Sequence, residues 1–479
     1  MITFIIGISI LIFGYIFYSK YVEKIIKPTD DLTPANKIND GVDFVPISKQ
    51  RNCFIHLLNI AGMGPILGAI QGILFGPIAF ILIPLGAVFM GGVHDYFSGI
   101  LSMRNNGSQI TGIIEKYLGK NAFKIFTIIV SIMLLLLASV FVYTSGDIFA
   151  ERFFNIKDFS LSNPIIIITY SVIILYFMMA TLFPVDKIIG KFYPYLGGLL
   201  IVGTALVLIG FFTKGVHLQN IDFNLINQHP LKLAIIPMFF MTVSCGLLSG
   251  FHSTQATIIS RTVENEHDAK AIFYGMMILE SLIAMIWAAG AMDIYSTHSI
   301  APNLIGTANV VNTIADKFVS PYLAFIVTLA VVVLPITSGD TALRGLRLTI
   351  AQTLNIEQKK IVNRFMISIP LLCLLILILY WAKLHAESFS MIWRYFTFFN
   401  QLIATPMLAC ATIYLYRAKK NFYITLIPCL FYVFITSCFI LNSKIGFNLS
   451  LDFSKIIALI LTIFGLIFII KTSKKSNEV

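Results

Sequence analysis

The chain reads as an all-α polytopic membrane protein of about thirteen spanning helices, and three observations lead there. Apolar runs of roughly 18 to 25 residues recur along nearly all of its 479 residues, each about long enough to cross a bilayer as a helix. Hydrophobic residues make up 57% of the chain and charged residues only 12%, with a mean hydropathy of +0.87. A soluble domain carries about twice that share of charge. The third observation is that Lys and Arg concentrate in alternate connections. The ten-residue apolar/polar alternation of an outer-membrane barrel is absent from the sequence.

The spans fall at roughly 2–19, 53–74, 76–101, 122–144, 164–183, 192–213, 232–260, 271–292, 319–340, 363–382, 390–416, 422–441 and 452–470. With the 20–52 connection and every second one after it on the cytoplasmic side, that side holds 23 Lys and Arg against 6 opposite. The bias puts the N-terminus outside and the C-terminus in the cytoplasm. It also accounts for the net charge of +11 without nucleic acid as a partner; the lipid bilayer is the partner the composition requires. Residues 2–19 lack a basic leader and a small-residue cleavage site, so they are expected to stay as a helix rather than leave as a signal peptide. The six cysteines lie in or beside apolar runs with no C-x-x-C pair, which argues against a disulfide framework or a zinc site. No G-x-x-x-x-G-K-[ST] loop is present to drive transport with ATP.

Two spans carry residues that a lipid-facing helix should avoid. The second contains His56, Asn59, Gly62, Gly64, Pro65 and Gly68; the seventh contains Ser244, Gly246, Ser249, Gly250, Phe251, His252, Ser253 and Thr254. Pro65 removes a backbone donor and the glycines loosen the helix around it. Glycines can also serve only close helix packing. Their placement argues for more. Each span opens a run of five helices, 53–213 and then 214–416, and because five is odd the second run starts on the opposite side of the membrane. That is an inverted repeat with a broken helix leading each half. Residues 1–52 are then an extra helix and loop, and 417–479 two further helices and a basic tail. Free N–H groups at a half-helix N-terminus attract anions, so Gly62, Gly64, Pro65, Gly68, Gly246, Gly250, Phe251, His252 and Ser253, with Gln401 of the eleventh span, are the expected substrate segments.

Several polar residues need a reason to be in the membrane. Glu280 lies about 13 Å into its span at 1.5 Å per residue, where a carboxylate favours a protonatable role over a buried structural hydrogen bond. His94 and Asp95 fit a proton relay or packing near the interface; His56 and His252 fit titration or simple helix-to-helix hydrogen bonds. Thr337 and Ser338 could help hold a sodium ion, or merely terminate a helix. Asn400 and Gln401 add an amide pair. No hydrolytic arrangement is visible, so the chain is not expected to be an enzyme.

Asp40-Gly-Val-Asp-Phe-Val-Pro46, His56 with Ala61-Gly-Met-Gly-Pro65, His94-Asp95-Tyr96 with Arg104-Asn-Asn-Gly107, Gly246-Leu-Leu-Ser-Gly-Phe-His252, Glu280-Ser281, Asp340 and Asn400-Gln401 together resemble the carbon starvation protein A family over about residues 36–440. The resemblance implies a bacterial inner-membrane transporter of pyruvate or peptides under nutrient limitation, with a leucine-transporter-like 5+5 core. The chain departs from the family in being much shorter than its long members. His94 stands where a Gln is usual, and Met63 is bulkier than the small residue common there. The expected function is uptake of a small carboxylate, pyruvate first, coupled to a proton through Glu280, Asp95, His56 or His94. A sodium-coupled amino-acid or peptide carrier using Thr337 and Ser338 is the alternative within transport, and a nutrient sensor or channel the alternative outside it. No organic cofactor is expected, and the oligomeric state is not legible.

Overall fold

A computed structural model describes residues 1–156, 158–183, 189–297, 309–384 and 388–475. Eleven helices among the described residues are long and apolar enough to cross a membrane, from Ile2–Ile26 to Leu451–Lys474. The predicted second and seventh spans are the two that are not single helices. The second is a pair, Lys49–Ile60 and Met63–Phe75, bent by 52° at Ala61 and Gly62. The seventh is a string of short helical pieces ending in Ser244–Leu247 and Gly250–Ile259, with Leu248 and Ser249 in extended conformation between them.

These two interrupted spans cross at the centre, where Ser244–Leu247 packs on Met63–Gly72. The second helix of each half flanks them: Ala79–Arg104 lies against Gly250–Ile259, and Glu266–Ser296 against Met63–Gly72. The third helices, Lys120–Phe154 and Pro321–Thr353, pack against each other in the most extensive helix pairing of the molecule. They run 35 and 33 residues, about 50 Å each at 1.5 Å per residue, against a hydrocarbon core of about 30 Å. Both therefore overrun the predicted spans 122–144 and 319–340. The extra turns hold polar side chains at the membrane edges, which is why periodicity alone stops short of them. The first helix and the last two sit at the periphery, and Leu451–Lys474 turns most of its apolar side chains outward, as a lipid-facing helix does.

One overrun ends in a buried ion pair. Lys383, at the end of Ile361–Leu384, places its Nζ 2.8 and 2.9 Å from the Asp147 carboxylate and 4.0 Å from the centre of the Tyr143 ring. Its side chain is 3% exposed, and Tyr170 donates to the same carboxylate at 2.7 Å. Removing one partner strands the other charge. Lys383→Met should lower stability by about 3 kcal/mol, and adding Asp147→Asn should restore part of that. Thermal unfolding of the purified variants in detergent checks both, and additive losses would contradict the pairing.

The connection between the first two spans is also ordered. Asp40 accepts the backbone N–H groups of Val42, Asp43 and Phe44 at 2.8–3.0 Å, which turns Asp43 inward. Burial alone would raise the pKa of this carboxyl, but Arg347, Arg344 and Arg261 around it prevail and pull it down to about 2. A folded value below the unfolded one near 3.8 means that the contribution is complete above pH 4 and fades as pH falls toward 2. It is worth on the order of 2 kcal/mol. Acid titration of stability should accordingly show a loss between pH 4 and 2 that is smaller in Asp43→Asn.

Candidate functional site

The site is built from the two breaks and the helices that must satisfy them. Interrupting a helix leaves its first N–H and last C=O groups without intrahelical partners, and inside a bilayer no water replaces them. The Met391–Arg417 helix supplies the partners for the second break. Asn400 Oδ1 accepts from Ser249 Oγ at 3.0 Å and from the Phe251 N–H at 2.7 Å, and Gln401 Nε2 donates to the Leu248 carbonyl at 2.9 Å. On the first break, Ser338 Oγ donates to the Leu58 carbonyl at 3.0 Å.

The glycines allow this crossing. A methyl group on Gly64 would come within 2.3 Å of Cys245 Sγ, and one on Gly250 within 2.2 Å of the Asn400 carbonyl oxygen and 2.7 Å of the Ala404 nitrogen. Gly68 faces the Thr242 carbonyl, and Gly246 faces Ala284 and Pro65. Gly62 lies beside Phe141 and Ser338. The Ser253 hydroxyl is turned back on its own helix, donating to the Gly250 carbonyl at 2.6 Å.

Beside the second break runs a chain of ionisable groups, all fully buried. His94 Nδ1 lies 2.8 Å from Asp95 Oδ1, His252 Nδ1 lies 3.0 Å from Asp95 Oδ2, and His252 Nε2 lies 3.5 Å from Glu280 Oε1. Three elements meet here: Ala79–Arg104, the first turn of Gly250–Ile259, and Glu266–Ser296. With the Nδ1 hydrogen of His252 donated to Asp95, Nε2 faces Glu280 across 3.5 Å, with no hydrogen bond between them. Both Glu280 oxygens lack a hydrogen-bond partner among the described residues, as do both ring nitrogens of His56, the Asn59 amide, the Ser281 hydroxyl and Gln401 Oε1. Buried polar atoms are rarely left unpaired. Such a concentration on the first broken span and the Glu266–Ser296 and Met391–Arg417 helices is where a polar ligand, an ion or water would find partners.

His56 makes no hydrogen bond to this series among the described residues, and its ring lies edge-on to Phe273 at 5.1 Å. Thr337 donates its hydroxyl within its own helix, to Leu334 O at 2.9 Å, whereas Ser338 reaches the first break. Asp340, one turn on, accepts from the Tyr193 hydroxyl at 2.6–2.7 Å. Among the described residues no three His, Cys, Asp or Glu side chains gather in a way that could hold a metal ion. Three residues were undervalued by sequence reasoning. Asn400 was visible as a buried amide but not as the staple of the break. Asn59 was named among the polar residues of the second span and Ser281 sat inside a quoted motif, neither with a site role, and an amide one turn before a Gly-Met-Gly-Pro break was the available signal.

Two crossed, broken helices leading two runs of five make up the leucine-transporter fold. Solved structures agree: MhsT in complex with L-phenylalanine matches with a TM-score of 0.58 and 15% identity, covering 88% of this chain and 99% of that one. The manganese transporter of Eremococcus coleocola matches at 0.57 and 12%, covering 92% and 98%. The chain belongs to the carbon starvation protein CstA family, whose model matches residues 1–169, 142–304 and 288–438. An uncharacterized membrane protein of Haemophilus influenzae is 36% identical over 62% of this chain and 91% of its own length. The peptide transporter CstA of Helicobacter pylori J99 is 27% identical over 57% of this chain, and the pyruvate/proton symporter BtsT of Escherichia coli K12 is 25% identical over 58%. The chain spans about half the length of these two, 48% and 47%.

The stapled break makes a direct prediction. Asn400→Leu leaves the Ser249 hydroxyl and the Phe251 N–H unpaired and should cost on the order of 2–3 kcal/mol. Ser253→Ala, losing a hydroxyl bonded only within its helix, should cost less than about 1 kcal/mol. Thermal scans of the two variants side by side check the ordering, and equal losses would refute it.

Proposed function

We propose that this chain takes up a small carboxylate, pyruvate first, together with a proton, by alternating access of its two repeats around the broken-helix crossing. The observation that carries this reading is the buried sequence His94, Asp95, His252, Glu280, which ends in a carboxyl with both oxygens unpartnered. A group in that setting is stable when neutral or when a cation faces it, so its protonation is coupled to what occupies the site. The half-helix N-termini at Gly62–Gly64 and Gly250–Phe251 are suited to the carboxylate of the substrate. The name of the BtsT relative, a pyruvate/proton symporter, points the same way. The orientation that accompanies this function is an outside N-terminus and a cytoplasmic C-terminus in the inner membrane.

A second reading, sodium-coupled uptake of an amino acid or short peptide, is favoured by Ser338 against the Leu58 carbonyl and by the peptide-transporter names of other relatives. In that reading Ser338, Thr337 and the carbonyls before the first break hold the ion.

Uptake of labelled pyruvate into proteoliposomes separates the two. A pH gradient alone should drive accumulation, and Glu280→Gln should reduce the gradient-driven rate by at least about tenfold. Accumulation that follows a sodium gradient and survives Glu280→Gln would move the assignment to the second reading, with alanine and dipeptides as the next substrates to try.

A further inference from the structure

Away from the central crossing, on the face that the charge bias assigns to the cytoplasm, lies a cavity of about 540 Å³. Its walls come from the 40–44 turn, the 105–108 loop, Arg261 just after the second broken span, and the end of the Pro321–Thr353 helix around Ala351 and Gln352. At its edge, four arginines are buried within one small region: Arg261 is 8% exposed, Arg344 and Arg347 0%, and Arg364 6%. Such a set needs anions. Asp43 is the carboxylate they share, 2.9 Å from Arg344 Nη1 and 3.3 Å from Arg347 Nη2.

The rest of the guanidinium contacts are mostly with neutral oxygens. Arg344 and Arg364 donate to the Phe183 and Leu182 carbonyls at 2.7 and 2.5 Å, Arg347 donates to Gln358, and Arg261 donates to the Gly107 carbonyl at 2.8 Å while stacking on Phe44. The Nε groups of Arg344, Arg347 and Arg364 have no partner among the described residues. The four arginines still outnumber the carboxylates of this region, Asp43 with Asp40 and Glu357 on the cavity wall. That carboxylate sits on a connecting segment rather than on a packed helix. The segment is stitched onward to the end of the second broken span through the Ile47 N–H to the Thr262 carbonyl at 2.9 Å and Thr262 Oγ1 to Asn52 Oδ1 at 2.6 Å.

We infer that the arginines around Asp43 form a carboxylate-binding site on the cytoplasmic release route, and that Asp43 is its tethered occupant, holding the route shut until it leaves and the departing substrate's carboxylate can take its place. This inference deepens the carboxylate reading above and rests on it for the substrate. Arginine forks take carboxylates in a fixed planar geometry, so a free carboxylate and the Asp43 side chain compete for the same donors. Asp43 links the 40–47 segment to the Pro321–Thr353 helix, so its release would loosen one wall of the cavity and leave the arginines facing it.

The test uses accessibility rather than transport, so that it can fail independently of the pyruvate assignment. Ala351, 3% exposed on the cavity wall, is changed to Cys in a full-length chain carrying Cys53→Ser and Cys373→Ser, and its alkylation by a polar maleimide is followed in inside-out vesicles. Asp43→Ala should speed labelling by at least about tenfold, the population shift expected when a buried ion pair of the closed state is lost. In the chain with Asp43 intact, acetate, competing with the tethered carboxylate for the same donors, should speed labelling with saturable dependence, whereas chloride at equal ionic strength should not. Unchanged labelling in Asp43→Ala, or a rise with acetate in the Asp43 chain no greater than with chloride, overturns the inference. Should Asp43→Ala fail to fold in chloride, recovery of monodisperse protein in acetate alone supports it and failure in both overturns it. Labelling stimulated by acetate alongside absent pyruvate uptake would remove only the uptake assignment.

Discussion

The fold depends on one constraint: inside a bilayer, every backbone N–H and C=O must find a partner within the protein. Eleven of the described helices meet it by being continuous. The two broken spans cannot, and side chains of neighbouring helices supply what they lack. Asn400 and Gln401 bind both sides of the second break, and Ser338 binds the carbonyl end before the first. The staples come from the fifth helix of the second half and the overlong third helix of that half. A break is therefore tied to helices outside its own span, and any movement that separates them exposes unpaired backbone. That cost favours two discrete arrangements over a continuum between them, which is the mechanical requirement for alternating access.

The electrostatics follow the same logic. Asp95, His252 and Glu280 lie on three separate elements, and charges buried this deeply are stable only in combination. A proton added to or removed from any of them changes which combination is favourable. Asp95 belongs to the first half, and His252 and Glu280 to the second. Protonation therefore bears on the contact between halves rather than on one helix alone. Glu280 stands at the end of the series, 3.5 Å from His252 and with neither oxygen hydrogen-bonded among the described residues, and so has the greatest freedom to change partner.

Much of this was legible in the sequence, for identifiable physical reasons. The all-helical membrane class and the two breaks were visible because hydropathy, Gly and Pro act locally: the Gly62–Pro65 and Gly246–Gly250 clusters announce their own interruptions. The titratable residues were visible one by one because a charge in an apolar run stands out. Their joining was not, since residues 95, 252 and 280 meet only through the crossing of helices far apart in the chain. Helix ends were the weakest part. Asp147 and Arg344 read as loop residues because polar side chains follow an apolar run, yet both lie within helices that continue past the membrane. Asp43 and its arginines were unreadable for the same reason, since three of the guanidiniums were counted as cytoplasmic loop charge and the carboxylate as part of an irregular connection.

The proton and sodium readings draw on different parts of this architecture, and the difference is chemical. A sodium ion needs several oxygens converging on one point, and the first break offers the Leu58 carbonyl and the Ser338 hydroxyl, already bonded to each other. To bind the ion, that hydrogen bond must open and further carbonyls must turn toward it. A proton needs a single base with a path of hydrogen-bonding groups leading to it, and His94, Asp95 and His252 form such a series that ends 3.5 Å from Glu280. The proton route thus requires less rearrangement from the structure described, while the sodium route would use the first break itself as the moving part.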